Sequence, residues 1–221
     1  PLTTLMLMGI REMLIICNPN DLENFKNLLG DGSSWGLSII YKVQQKPEGL
    51  AQAFIIANQF LNGHKCVLIL GDNLFYGHDL PFQLKKASDQ EQGGTIFAYQ
   101  VNDPRRYGVV EFDQEYNAIS LQEKPKKPKS KYAITGIYLY DEFVREKVKK
   151  ISFSSRGELE ITDLNQIYLK EKKLKVELLG SGIPWLDTGT YDSLIEAGSF
   201  IKTIESKQGL MIGCPEEIAW R

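Results

Sequence analysis

Residues 67–80 read VLILGDNLFYGHDL: four apolar residues, then Gly71-Asp72-Asn73, then a second apolar pair before the chain turns polar. A short aliphatic run bounded by glycine reads as a buried strand. Outward from it, MLIIC (13–17) and LSIIYKVQ (37–44) read as further strands. DLENFKNLLG (21–30) and LAQAFIIANQFLN (50–62) read as helices between them. Strands with continuous apolar runs, alternating with helices, predict a mostly parallel sheet covered on both faces. In such sheets ligands bind beyond the carboxyl ends of the strands, so Asp72 falls where a buried strand delivers side chains to a crevice. The local alternative is a turn carboxylate bonded to its own backbone.

The second half changes character. TIFAYQV (95–101), YGVVEFDQ (107–114), AISLQEKP (118–125) and YAITGIYLYD (132–141) are strands joined mainly by short polar turns, an antiparallel and mixed addition to the parallel core. Helices are predicted at 142–150 and 158–171, followed by the strand KVELLG, the turn IPWLDTG and a long helix from Tyr191 to about Lys207. On that helix Leu194, Ala197, Ile201 and Ile204 form an apolar stripe. The expected fold class is α/β: a three-layer α/β/α, Rossmann-like mixed sheet in a single domain with a C-terminal helical extension.

Composition narrows the function classes. The 221 residues carry 28 acidic and 26 basic side chains, a net charge of −2, so no chain-wide basic field points to nucleic acid or an anionic membrane. A small-molecule ligand is the expectation. Cys17, Cys66 and Cys214 are odd in number and widely spaced, which fits reduced thiols and a cytoplasmic protein. No apolar run approaches the length of a membrane span, and PLTTLMLMGI lacks the cationic start of a signal peptide. It reads instead as an amphipathic helix closing on Gly9, so the chain is expected to open in mid-fold.

QKPEGLAQAF, GDNLFYGHDL, VNDPRRYGVVEFD, the EKP of LQEKPKKPKS, ITGIYLYD, SRGELEITDLN and WLDTGTYDSLIEA stand in an order that resembles the glucose-1-phosphate thymidylyltransferases along essentially the whole chain. The resemblance implies a nucleotidyltransferase fold and nucleotidyl transfer. The reaction is dTTP plus glucose 1-phosphate giving dTDP-glucose and pyrophosphate with Mg²⁺, the first step of dTDP-L-rhamnose biosynthesis. It divides the chain into a nucleotide-binding part (about 1–106), a sugar-binding part (about 107–189) and the start of a helical extension (about 190–221). It also implies a homotetramer.

Residue by residue, the resemblance places Mg²⁺ on Asp72 and Asp187, the nucleotide on Gln44, Gly49, Asp72 and Asn73, and the sugar phosphate on Leu50, Tyr107, Gly108, Glu123, Lys124, Ile134, Glu160, Thr162 and Trp185. Asp72, Lys124 and Asp187 are the catalytic set. The chemistry is coherent: a carboxamide offers a donor and an acceptor side by side to a pyrimidine edge, a lysine is a point charge for a phosphate, and Mg²⁺ takes few protein carboxylates. Plainer readings stand beside these. Asp187 could cap the helix that starts near Thr190, Glu160 could be a first-turn acid, and Trp185 could be core. His64 and His78 read as loop residues, and Lys126, Lys127, Lys129 and Lys131 as solvated surface.

The resemblance further implies an N-terminal strand, a glycine-rich loop with an arginine, and a following lysine ahead of Pro1, together with more helix at the far end. A chain truncated at both ends is expected to be inactive alone. Two other readings remain at this stage: a glucose-1-phosphate uridylyltransferase, and a non-catalytic nucleotide-sugar-binding or regulatory subunit.

Overall fold

The computed structural model describes residues 1–220. In chain order the elements are α1 (Leu2–Leu7), β1 (Glu12–Cys17), α2 (Leu22–Leu29), β2 (Ser38–Val43), α3 (Gln52–Ile56), α4 (Asn58–Leu61), β3 (Cys66–Ile69), β4 (Asn73–Phe75), α5 (Leu80–Ser88) and β5 (Gly94–Gln100). They continue with β6 (Gly108–Phe112), β7 (Ala118–Glu123), β8 (Tyr132–Tyr140), α6 (Val144–Lys147), α7 (Ile161–Lys170), β9 (Leu174–Leu179), β10 (Trp185–Asp187), α8 (Tyr191–Gln208) and α9 (Pro215–Trp220).

The central sheet is mixed, in the order β7-β6-β8-β5-β9, with β3 also paired to β8. The strand β8 organises it. One edge of β8 pairs antiparallel with β5, while its other edge is shared by β6 near Ala133 and by β3 from Ile137 to Tyr140. Parallel pairing is confined to β1 with β2 and β5 with β9, so the pairing is more antiparallel than the alternation of strands and helices predicts. The cause is tertiary: β8 enters between strands that share one direction, and no local pattern in residues 132–140 announces that position.

Alternation along β5 and β8 sorts the core into two faces. Ile96, Ala98, Ile134, Tyr138 and Tyr140 meet Phe54 and Leu61 of α3 and α4, Val144 of α6, and Leu164 and Tyr168 of α7. Phe97, Ala133, Ile137 and Leu139 on the opposite face meet Leu80, Leu84 and Ala87 of α5, together with Phe75 and Trp185. These are the three expected layers. A smaller core of Met6, Met13, Leu37 and Ile39 holds α1 against β1 and β2.

Some local expectations change. The helix expected over 50–62 is interrupted at Ala57. The expected turn IPWLDTG contains β10, which pairs antiparallel with β4, Asp187 opposite Asn73 and Trp185 opposite Phe75. Three-residue strands carry too little period to be seen in sequence, and only the partner strand defines them. The helix α8 begins with a capping box formed by Thr190 and Ser193, so Asp187 is not its cap. Of its expected stripe, Ala197 is buried, whereas Leu194 remains 55% exposed.

The helix α5 gives a direct test of the layer assignment. Leu84 is fully buried and Phe82 is 72% exposed on the same helix. Leu84→Ala should lower the unfolding free energy in urea by about 2–5 kcal/mol, whereas Phe82→Ala should stay within about 0.5 kcal/mol of the parent.

Candidate active site

The strand β3 ends at Ile69, and the turn that follows carries Asp72 to the surface and Asn73 inward. Asn73 is 3% exposed and its carboxamide bonds to three protein partners. Its Oδ1 accepts from the Gly136 amide at 3.0 Å and from Trp185 Nε1 at 2.6 Å, while its Nδ2 donates to Asp72 Oδ1 at 2.8 Å. Asp72 is therefore held by a neighbouring side chain rather than by its own turn. The structure thus gives the Asn73 side chain internal partners. Gly136 has to be a glycine here, because a Cβ on it would lie 2.5 Å from Asn73 Oδ1.

Asp187 reaches the same place from β10. The Thr188 amide and hydroxyl both donate to the Asp72 carbonyl at 2.8 Å, stitching the two segments together. A Cβ on Gly189 would stand 3.1 Å from Asp187 Oδ1 and 3.4 Å from Asp72 Oδ2. The two carboxylates thus flank one small space. Asp187 Oδ1 also accepts from the Gly189 amide at 3.1 Å. Its Oδ2 accepts from the Tyr107 hydroxyl at 3.1 Å and lies 3.6 Å from Arg106 Nη2. Burial, and then the Asp187 charge, push the Tyr107 phenol up to about 12, so it stays a neutral donor. Among the described residues no group of three or more His, Cys, Asp and Glu side chains is placed to hold a metal. Two carboxylates with open space between them fit a hard cation that keeps most of its shell as water and phosphate oxygen.

Tyr107 links this pair to a second cluster. Its ring meets Trp185 at 5.0 Å between centroids, and Trp185 is 8% exposed, so the tryptophan is both core and site wall. Its carbonyl accepts from the Lys124 amide at 3.1 Å. Lys124 has φ of 40°, a left-handed backbone uncommon for a side-chain-bearing residue, and its exposed ammonium makes no ion pair among the described residues. Gly108 pairs with Glu123 across β6 and β7, and a Cβ on Gly108 would stand 3.2 Å from both Ile134 Cδ1 and Thr162 Oγ1. The Thr162 hydroxyl donates to Glu123 Oε2 at 2.5 Å. Glu160 opens α7, but its side chain caps nothing.

Arg156, absent from the expected set, is what holds Glu160. Its guanidinium reaches both Glu160 oxygens at 2.8 and 2.9 Å and Glu123 Oε1 at 3.4 Å, and Ser154 Oγ adds a bond to Glu160 Oε1 at 2.7 Å. Burial and the Glu160 charge raise the Glu123 carboxyl above its ordinary value against the pull of Thr162, Lys124 and Arg156. The sequence signal was present but undirected: SSRGELE places a cation beside two acids, and only the fold turns it toward Glu123.

Gln44 and Gly49 line a cavity of 920 Å³ together with Leu50, Gly71, Phe54, Leu14 and Leu68. Gln44 Nε2 donates to Gln52 Oε1 at 2.6 Å and to the Gly49 carbonyl at 3.3 Å. Gly49 has φ of 99°, and a Cβ there would stand 2.4 Å from the Leu159 carbonyl oxygen, so this glycine is required by its contact with the 159–160 segment. The same two segments are tied by backbone bonds: the Leu159 amide donates to the Glu48 carbonyl at 2.8 Å and the Ala51 amide to the Leu159 carbonyl at 3.1 Å. That pairing joins the segment of Gly49 and exposed Leu50 to the one that carries Glu160. His64 and His78 are exposed and belong to neither cluster.

The Nucleotidyl transferase family pattern matches residues 1–204. A glucose-1-phosphate thymidylyltransferase of Neisseria meningitidis is 53% identical over the whole chain, which spans 77% of that protein. One from Mycolicibacterium smegmatis is 52% identical over the whole chain and 76% of its own length. The chain belongs to the nucleotidyl transferase family, with the glucose-1-phosphate thymidylyltransferases. A Bacillus anthracis protein described as a glucose-1-phosphate thymidylyltransferase, solved with sucrose, superposes on this nucleotidyl transferase with a TM-score of 0.84 at 35% identity, covering 98% of this chain and 84% of the other. A UDP-glucose pyrophosphorylase solved with UDP-glucose shares the fold at a TM-score of 0.76 and 22% identity, covering 91% of this chain and 86% of the other.

Arg156→Ala removes the cation between two half-buried or buried carboxylates. The Glu123 carboxyl should then titrate higher still, as read by ¹³C NMR of labelled glutamate side chains. Because a folded-state carboxyl pKa raised above its unfolded value favours folding at low pH, the variant's loss of melting temperature should be largest at neutral pH and shrink on acidification. A deficit independent of pH would remove the charge-bridging role.

Proposed function

We propose that this protein transfers the thymidylyl group of dTTP to glucose 1-phosphate, forming dTDP-glucose and pyrophosphate. The single observation that carries this reading is the junction at Tyr107. One residue there ties the two-aspartate pair to the glutamate cluster, so a metal-bound triphosphate and a polyhydroxylated phosphate ester can lie side by side. The relatives' names supply the substrates.

In the proposed reaction a phosphate oxygen of glucose 1-phosphate attacks the α-phosphorus of dTTP, the new P–O bond forms, and the bond to pyrophosphate breaks with the electron pair leaving on pyrophosphate oxygen. A phosphate monoester with a second pKa of about 6 is already dianionic near neutral pH, so the chain has no need of a strong base. What it has to supply is position and charge. Lys124 neutralises the sugar phosphate, and Glu123 and Glu160 accept from sugar hydroxyls. Gly108, Ile134, Thr162, Leu50 and Trp185 shape the pocket, while Gln44 and Gly49 face the base. Asp72 and Asp187 are the residues to hold Mg²⁺, which when bound supplies charge neutralisation at the phosphates. We also read the protein as a cytoplasmic homotetramer. Exposed Tyr191, Ile195, Met211 and Trp220 support self-association, which light scattering tests directly.

Pyrophosphate release by the complete protein, with dTTP compared against UTP, is the primary assay. Turnover favouring dTTP is expected, and equal or greater use of UTP would favour a uridylyltransferase. Lys124→Ala should raise the KM for glucose 1-phosphate by about ten- to a hundredfold, the equivalent of one charge-assisted hydrogen bond of about 1.5–3 kcal/mol, with a small effect on the KM for dTTP. Since Glu123 has to be ionised to accept hydroxyl protons and its pKa is raised, binding of dTDP-glucose should weaken on acidification sooner than an ordinary glutamate would dictate. Glu123→Gln should bind weakly with that acid limb gone.

A further inference from the structure

The two aspartates do not present their oxygens equally. Asp72 Oδ1 is occupied by Asn73 Nδ2, and its Oδ2 faces the space beside Gly189. Asp187 Oδ2 is occupied by the Tyr107 hydroxyl with Arg106 beyond it, and its Oδ1, which among the described residues accepts only from the Gly189 amide at 3.1 Å, faces the same space. The Asn73 orientation is dictated by its surroundings. Two donors, the Gly136 amide and the Trp185 indole, converge on one atom, which therefore has to be the oxygen. The NH₂ group is left pointing at Asp72, and it can only donate.

We propose that Asn73 and Tyr107 are positioning residues that restrict Asp72 and Asp187 to one cation-facing oxygen each, and so fit the pair to a small octahedral cation over a larger one. This rests on the reading of the pair as a Mg²⁺ site. The physical basis is the difference between the ions. Mg²⁺ requires near-octahedral geometry with single oxygens and retained water, whereas Ca²⁺ accepts bidentate carboxylates and more ligands. Outer partners that fix a carboxylate's rotation thereby decide which of these it can serve. Backbone rigidity around the pair is supplied separately by Thr188, so the Tyr107 hydroxyl can be removed without releasing the strands.

The test is binding of Mn²⁺ to the complete protein, followed by EPR of the free ion, with Mg²⁺ and Ca²⁺ as competitors. Asp72→Asn serves as the reference for loss of the site. Tyr107→Phe removes only the hydroxyl and keeps the ring against Trp185. It should weaken Mg²⁺ about tenfold while Ca²⁺ binding holds or improves, so the Mg²⁺-to-Ca²⁺ affinity ratio falls by about the same factor. Asn73→Ala should change the ratio in the same direction. Its melting temperature and Trp185 fluorescence report whether it folds, and if it does not, Tyr107→Phe decides alone. A structural role would lower stability and leave the ratio where it was. An unchanged ratio in folded Tyr107→Phe, or Mn²⁺ binding that survives Asp72→Asn, overturns the proposal. Pyrophosphate release by the parent protein decides the nucleotidyl-transfer reading separately, because the cation ratio is read without turnover.

Discussion

The Asn73 carboxamide receives one hydrogen bond from the backbone of β8 and one from the indole of β10, and gives one to Asp72, all from a position sealed off from water. A buried carboxamide in this setting has one orientation, since reversing it would set an NH₂ group against two donors and leave an acceptor facing a carboxylate. The central sheet, the short β4–β10 ribbon and the exposed turn at Asp72 are thereby locked in a single arrangement. Gly136 permits it by having no Cβ to occupy the same space. The remaining site geometry is arranged around this junction, with Tyr107 completing it from the other side through Trp185 and Asp187.

Charge is distributed around that junction in two unlike ways. On the glutamate side, burial and then the Glu160 charge raise the Glu123 carboxyl, and Arg156 together with Thr162 and Ser154 offsets the repulsion while leaving oxygen lone pairs for hydroxyl donors. On the aspartate side, the carboxylates meet across open space, where a ligand cation would complete the balance. A nearly neutral chain can in this way bind a highly charged nucleotide and a sugar phosphate without a strongly basic surface, because the charges that matter are local and paired.

The candidate site residues were found through motifs that stand in a family's order, each of them a common turn by itself. GDN, EKP and WLDTG each stand where an apolar run stops, and the structure brings Asp72, Asp187, Tyr107, Glu123 and Thr162 into one connected set. The partners that hold them were harder to see. Arg156 was not among the expected residues, and its direction depends on the Ser154–Gly157 turn folding back over Glu160. Asn73 entered the nucleotide set through the family resemblance alone. Its burial comes from β8 and β10, which lie far from it in sequence.

Apolar spacing and turn chemistry are local properties, so the residues alone carry the elements with enough period to declare themselves, the three-layer α/β class, and the family to which the motifs belong. The insertion of β8 among strands of opposite direction, the existence of β4 and β10, and the oxygen of each aspartate left facing the shared space arise in three dimensions. Those features depend on hydrogen bonds between segments that are distant in the chain, and a hydrogen bond of that kind has no signature in either segment until the fold brings donor and acceptor together.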